Sequence, residues 1–170
     1  MPVISNVTLL WVKCNTERPV RYQNQATAPA QWSVQLRTKS KALKQETEKA
    51  YKFKWTLVEA DDGSHEYKTN LSTYAYQQTD GKEDPTKLNK PVSIIGGDGR
   101  TIDPDTVGNG SIGNVSFTYN EEKGTRRLKA IQVVKWKKYE RKDDTAFDLV
   151  DDFEIVDEDG NSADLDDLLG

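Results

Sequence analysis

The chain predicts an all-β domain, a small closed or partly open barrel with one short helix, followed by an acidic C-terminal segment. Three observations predict it. Segments of period-two hydrophobicity recur along the chain, each too short for a helix and bounded by Gly, Pro, Asn or Asp. Glycine-rich pivots stand at two of the bends. The charge is also divided: residues 143–170 hold 12 Asp/Glu and no Lys/Arg, which leaves 16 of the 28 acids against all 24 bases in residues 1–142. A net charge of −4 thus conceals a body of +8 joined to a strip of −12. Such a split points to nucleic acid and to an acidic interaction segment.

Residues 7–13 set Val7, Leu9 and Trp11 against Thr8, Leu10 and Val12. Both faces are rather apolar, which suits a buried strand. A Pro-, Gln- and Ala-rich connection over 17–30 leads to residues 31–39. There Trp32, Val34 and Leu36 share one face, and Ser33, Gln35, Arg37 and Lys39 the other. This is the alternation of a half-buried strand with a cationic outer face. Residues 41–49, rich in Ala, Leu, Lys, Gln and Glu without Gly or Pro, supply the helix. Period two returns over 51–57, where Tyr51, Phe53, Trp55 and Leu57 oppose Lys52, Lys54 and Thr56.

Asp61-Asp62-Gly63 is a turn. Residues 64–90 are polar and give one further short strand or hairpin arm at 70–77, with Tyr74 and Tyr76 two apart. Ser93-Ile94-Ile95 enters a tight reversal at Gly96-Gly97-Asp98-Gly99, and Thr101-Ile102 leaves it. Val107-Gly108-Asn109-Gly110-Ser111 is a second pivot. A strand at 112–119, a turn at Glu121-Glu122-Lys123-Gly124 and a long last strand at 127–138 complete the core. Five or more strands with glycine at the bends fit a small antiparallel barrel better than a helix bundle or a doubly wound sheet. A β-sandwich is the other all-β arrangement left open.

At 170 residues there is room for one domain with a sizeable core. One cysteine, Cys14, and one histidine, His65, leave no disulfide and no convincing metal set, and no cofactor is expected. The Gly96–Gly99 run is followed by neither Lys-Ser/Thr nor a helix, so it reads as a hairpin turn and not a P-loop. Asp103-Pro104-Asp105 fails as a calcium loop, with Val107 at its fifth position and Asn114 at its twelfth. His65 sits in a polar loop away from any nucleophile pattern, and no enzyme is expected. No apolar run approaches the roughly 20 residues of a membrane span. Met1-Pro2-Val3-Ile4-Ser5 does not open a signal peptide, so the expectation is a soluble intracellular protein.

Proteins that hold single strands need cations for the phosphates and aromatic faces for unstacked bases. Arg37 and Lys39 on one strand, Lys52 and Lys54 on another, and Lys135 and Lys137 on the last supply the cations, the last pair beside Lys138, Trp136 and Tyr139. Trp32, Phe53 and Trp55 lie in the apolar phase and are assigned to the core. Tyr74, Tyr76 and Tyr119, among polar neighbours, are the candidate base platforms. In residues 143–170, Phe147, Phe153, Ile155, Leu165, Leu168 and Leu169 are set among the acids. A purely solvating polyanion would not need them. Acidic and apolar residues in alternation describe a segment that is disordered until it docks on a partner.

Taken in order, five segments resemble the podovirus-type replicative single-stranded DNA-binding proteins. They are Trp32-Ser33-Val34-Gln35-Leu36-Arg37-Thr38-Lys39 leading into a helix, Lys90-Pro91-Val92 before the Gly/Asp turn, residues 107–116, the strand residues 128–135, and the acidic end. The resemblance implies an OB-fold-like five-stranded antiparallel barrel over residues 1–142 and a largely disordered acidic tail over 143–170. It implies a protein that coats single-stranded DNA during phage replication in the cytoplasm of the infected bacterial host. The tail is then expected to contact the phage DNA polymerase and helicase/primase and to compete with DNA for the basic groove. Tails of this type commonly finish on an aromatic, whereas this chain ends in Leu168-Leu169-Gly170. The apolar anchor is then Leu168 and Leu169, beside Asp166 and Asp167, or else Phe153.

Residues 60–90 have no counterpart in the resemblance, and a homodimer stays open as the assembly state. Two other readings compete. One is a DNA-mimic inhibitor whose acidic segment occupies a host nuclease or polymerase, against which the +8 body counts. The other is a phage structural β-barrel protein.

Overall fold

A computed structural model describes residues 1–139, together with the backbone of Ile155–Val156 and Ser162–Ala163. The chain divides into two units, Met1–Glu140 and Arg141–Gly170. In the first, the elements run β1 (Val3–Lys13), β2 (Gln31–Thr38), α1 (Lys41–Tyr51), β3 (Thr56–Glu59), β4 (His65–Tyr74), β5 (Tyr76–Thr79), β6 (Lys82–Leu88), β7 (Ser93–Gly96), β8 (Ser111–Asn120) and β9 (Thr125–Lys135). Seven strands form one sheet in the order β3-β4-β2-β1-β8-β9-β7, while β5 and β6 pair as a separate hairpin.

The middle of the sheet follows its alternation. In β2, Trp32, Val34 and Leu36 are buried and the residues between them half-buried. β8 and β9 pair antiparallel across the Glu121–Gly124 turn and send Val115, Phe117, Leu128 and Ile131 into the core. β4 is harder to read, because Thr69 occupies an inward position between Tyr67 and Leu71. It nevertheless pairs with β2 without a break, from Gln31↔Tyr74 to Thr38↔Tyr67.

β1 departs from the uniformly buried strand expected of it. Asn6 and Trp11 lie in the left-handed region, with φ of 55° and 50°, and the register shifts at both places. Each bulge adds a residue and resets the phase. Ile4, Val7, Leu9 and Val12 therefore face inward, while Trp11 is turned out of the core phase.

The expected strand over 51–57 is also corrected. Ser40 Oγ caps α1 by accepting the Leu43 N–H at 3.1 Å, and the helix continues through Tyr51. Lys52, at φ 57°, then ends it in a left-handed turn. The chain reverses beneath the helix, and the Trp55 indole N–H donates to Thr47 Oγ1 at 2.8 Å. Only Thr56–Glu59 is strand, and Leu57 is exposed there. Burial of Phe53 and Trp55 against α1 outranks their alternation.

Two expectations about the barrel change as well. β7 turns back through the Gly96–Gly99 reversal as expected, with Gly96 N–H donating to the Arg100 carbonyl at 2.8 Å and Ile102 N–H to the Ile94 carbonyl at 2.9 Å, but its ladder lies on its other edge. It pairs parallel with β9, so the sheet is mixed. Nor do the strands close into a five-stranded barrel. β4 and β9 approach each other without a ladder. Their facing edges are occupied by β3 over residues 65–68 and by β7 over residues 130–133. At this seam the Arg127 guanidinium lies over the Tyr74 ring, 4.6 Å from its centroid.

The core is one cluster, with Phe117 edge-on to Tyr51 and Phe53 at 5.1 and 5.2 Å. The β5–β6 hairpin is fastened to the connection before β2 by Glu83, which accepts from the Arg21 guanidinium at 2.9 Å and from the Ala30 N–H at 2.9 Å. Burial works against this carboxylate, but the Ala30 N–H and Arg21 outweigh it and its pKa is lowered. Among the described residues no helix is long and apolar enough to cross a membrane. In the second unit, Ile155–Val156 pairs antiparallel with Ser162–Ala163. The tail positions expected to dock partners, Phe153, Asp166, Asp167, Leu168 and Leu169, lie outside the described residues.

Candidate nucleic-acid interface

The segment between the Gly96–Gly99 turn and β8 does more than pivot. Gly108 N–H donates to the Lys137 carbonyl at 2.8 Å, and Gly110 N–H to the Leu9 carbonyl at 3.0 Å. Ser111 Oγ donates to the Gly108 carbonyl and accepts the Lys137 N–H at 3.0 Å. The residues after β9 are thereby tied to the far end of β1. A Cβ on Gly108 would stand 2.6 Å from the Lys137 carbonyl oxygen, so only glycine allows the approach. The two asparagines of this motif complete the bulges of β1. Asn114 Oδ1 accepts the Asn6 N–H at 3.1 Å, and Asn109 Oδ1 accepts the Trp11 N–H at 2.8 Å.

This tie builds a cleft of about 510 Å³ lined by Trp11, Lys13, Asn109, Lys137, Lys138 and Tyr139, with Val107 and Gly108 behind them. Trp11 is 57% exposed, Tyr139 56% and the neighbouring Trp136 45%. Large apolar side chains exposed together, rather than scattered singly, mark interaction surfaces. Lys13, Lys135, Lys137 and Lys138 form no ion pair with any described residue. The only carboxylate among the described lining residues, Asp105, is held by Arg18 and by the Asn15 amide, both at 2.8 Å. The result is a positive, partly apolar recess.

A row of outward side chains begins beside the cleft and crosses the sheet. Lys135 pairs with Ile112, Ile112 with Thr8, Thr8 with Arg37, and Arg37 with Lys68. At about 4.8 Å per strand the row spans roughly 19 Å. Arg37 is tempered by Glu66, 3.0 Å away, whereas Lys68 is in no ion pair with a described residue.

The other sequence-predicted residues fall elsewhere. Lys39 pairs with Asp62 at 3.3 Å. That carboxyl is drawn down to about 2, first by the Ser64 hydroxyl and N–H and then by Lys39. Lys52 and Lys54 are exposed beyond α1, where Gly124 approaches Lys52. That is the Asn120 end of β8, roughly 30 Å from the cleft at about 3.3 Å per residue. Tyr119 packs against the core, edge-on to Tyr51 at 5.6 Å, and Tyr76 also packs against the core. Tyr74 carries Arg127 on its ring. Of the predicted set, the structure places Lys137 on the cleft, with Lys135 and Arg37 on the adjoining row.

Trp11 and Lys13 were not legible as site residues, because nothing short of the β1 bulges turns them outward. The spacing of Asn109 and Asn114 was the available signal, since asparagine readily accepts backbone N–H groups where a ladder is interrupted. No reactive thiol adds to the site: burial pushes Cys14 up to about 12, against a weaker lowering by a backbone hydrogen bond with Ser33. Among the described residues no three His, Cys, Asp or Glu side chains come together to hold a metal. Comparison of the chain with protein-family models, curated proteins and solved structures finds no match.

Proposed function

We propose that this protein binds single-stranded DNA without strong sequence preference, as a coating protein of phage replication. One observation carries the reading: exposed aromatics and lysines that pair with no described residue, scattered in sequence, are collected at one end of the sheet around a recess. Cations along a groove and accessible π-faces are the two needs of a single-strand binder. Duplex recognition would instead call for an element that enters a groove.

The strand order supports an OB-fold-like reading. The five strands β4-β2-β1-β8-β9 are consecutive in the seven-stranded sheet and β4 comes near β9, an order that would suit a five-stranded barrel left open at one seam. The DNA path runs from the cleft along the Lys135–Arg37–Lys68 row, and residues 143–170 act as an anionic competitor and as the hook for replication partners.

Intrinsic tryptophan fluorescence tests the reading. Trp32 and Trp55 are buried, so quenching by oligo-dT has to come from Trp11 and Trp136. The full chain is expected to show saturable quenching that weakens steeply with salt. A chain truncated after Arg141 should bind more tightly and with a steeper salt dependence. Absence of any oligo-dT binding by either chain rejects the function. Equal affinity of the two rejects only the competition.

A further inference from the structure

We infer that Trp11 is the base platform of this protein: the cleft takes one unstacked nucleobase of a single DNA strand against the Trp11 ring, with Tyr139 on the lining and Lys13, Lys137 and Lys138 at the flanking phosphates. The inference rests on the single-strand reading above and deepens it.

Elimination among the described aromatics leads to Trp11. Phe53, Phe117, Tyr51 and Tyr119 pack on one another, Tyr76 packs against the core, and Trp32 and Trp55 are buried. Tyr67, Tyr74 and Trp136 each carry a cation over the ring, from Lys44, Arg127 and Lys138. Trp136 is further pinned by its indole N–H, which donates to the Thr106 carbonyl at 3.0 Å. Tyr22 is exposed, but the adjacent Arg21 is engaged by Glu83. Trp11 and Tyr139 remain, both with no described cation or aromatic over the ring and both on the lining of one cleft.

The backbone points the same way. A bulky residue at φ 50° inside a strand is strained, and such strain persists where the surroundings impose it. Here Asn109 imposes it by holding the Trp11 N–H at 2.8 Å. The strained conformation turns Trp11 out of the core phase and into the cleft. A volume of about 510 Å³ falls within the usual range of small-ligand sites and suits a nucleotide. A duplex keeps its base faces stacked internally and offers nothing to the ring along its length.

Anisotropy titrations of labelled oligo-dT with full-length variants test the assignment. Trp11→Gly removes the ring and relieves the positive φ, so its thermal midpoint should equal or exceed that of the wild type. Its affinity should fall by about 5- to 150-fold, the loss of one base stack. Trp11→Phe should recover most of that loss, Tyr139→Ala should show a smaller one, and Tyr22→Ala none. Wild-type binding with undiminished affinity in Trp11→Gly would overturn the platform and leave the single-strand reading standing. A loss that Trp11→Phe does not restore would also overturn it, because the ring would not be what binds. No binding of oligo-dT by the wild type would remove both.

Discussion

The two ends of β8 carry the same kinds of residues and put them to opposite uses. Around Ser111, Trp11, Trp136 and Tyr139 stand exposed beside lysines that pair with no described carboxylate. Around Asn120, Tyr51, Phe53 and Phe117 interlock, and Arg126 lies over the Phe53 ring at 5.0 Å while donating to the Lys52 carbonyl at 2.9 Å. Lysine next to an aromatic in the sequence therefore says little by itself. What decides availability is whether the ring falls in the inward phase. At the Asn120 end it does, and the rings contribute stability. At the Ser111 end a bulge and a close glycine approach turn the rings out, leaving a surface that can bind.

The largest effect that would break this contrast is on stability. Phe117→Ala should destabilise the first unit by about 3–5 kcal/mol, the usual cost of emptying an aromatic core site. Equilibrium denaturation should read it as a lower midpoint, and a cost below ~1 kcal/mol would mean that the Asn120 end is not core. Next comes Gly108→Ala, which forces a Cβ against the Lys137 carbonyl. About 1–3 kcal/mol of strain is expected, together with weaker oligo-dT binding, because the cleft loses its fastening. Unchanged binding would separate the tie from the site.

A smaller effect sharpens the comparison by acting outside both ends. Glu83 has a lowered pKa, so the stability it contributes is present above the ordinary carboxylate range and is lost as pH falls through the lowered native value. Glu83→Gln should cost about 1 kcal/mol at neutral pH and flatten the loss of stability on acidification. It should leave oligo-dT affinity unaltered. Thermal melts between neutral and acid pH would show an unchanged acid slope if the Arg21–Glu83–Ala30 contact were unimportant.

Much of the sheet was legible in the sequence. β2 and β8 alternate, and their inward residues are the ones buried, whereas a register shift rephases β9 between Leu128 and Ile131. Legibility failed where local geometry overruled period two. Two left-handed residues rephase β1, and Lys52 turns a predicted strand back under α1. Thr69 conceals the inward face of β4 because a threonine there satisfies its hydroxyl by donating to the Lys54 carbonyl at 3.0 Å. The site fared less well than the fold for the same reason. Lys135 and Lys137 could be found from composition, but Trp11 reads as core until the bulge is known. Tyr76 and Tyr119 read as exposed until their packing is known.

The central claim is that DNA follows the Ser111 end and not the Asn120 end, and salt dependence of oligo-dT binding tests it most directly. Removing one lysine–phosphate interaction should reduce the log–log salt slope by about 0.7 for a single strand. Replacement of Lys13, Lys137 and Lys138 by Ala should therefore lower the slope by about 2. Replacement of Lys52 and Lys54 should change it by less than about 0.5. A double variant at Lys52 and Lys54 that lowers the slope as much as the triple variant at the cleft would contradict the account.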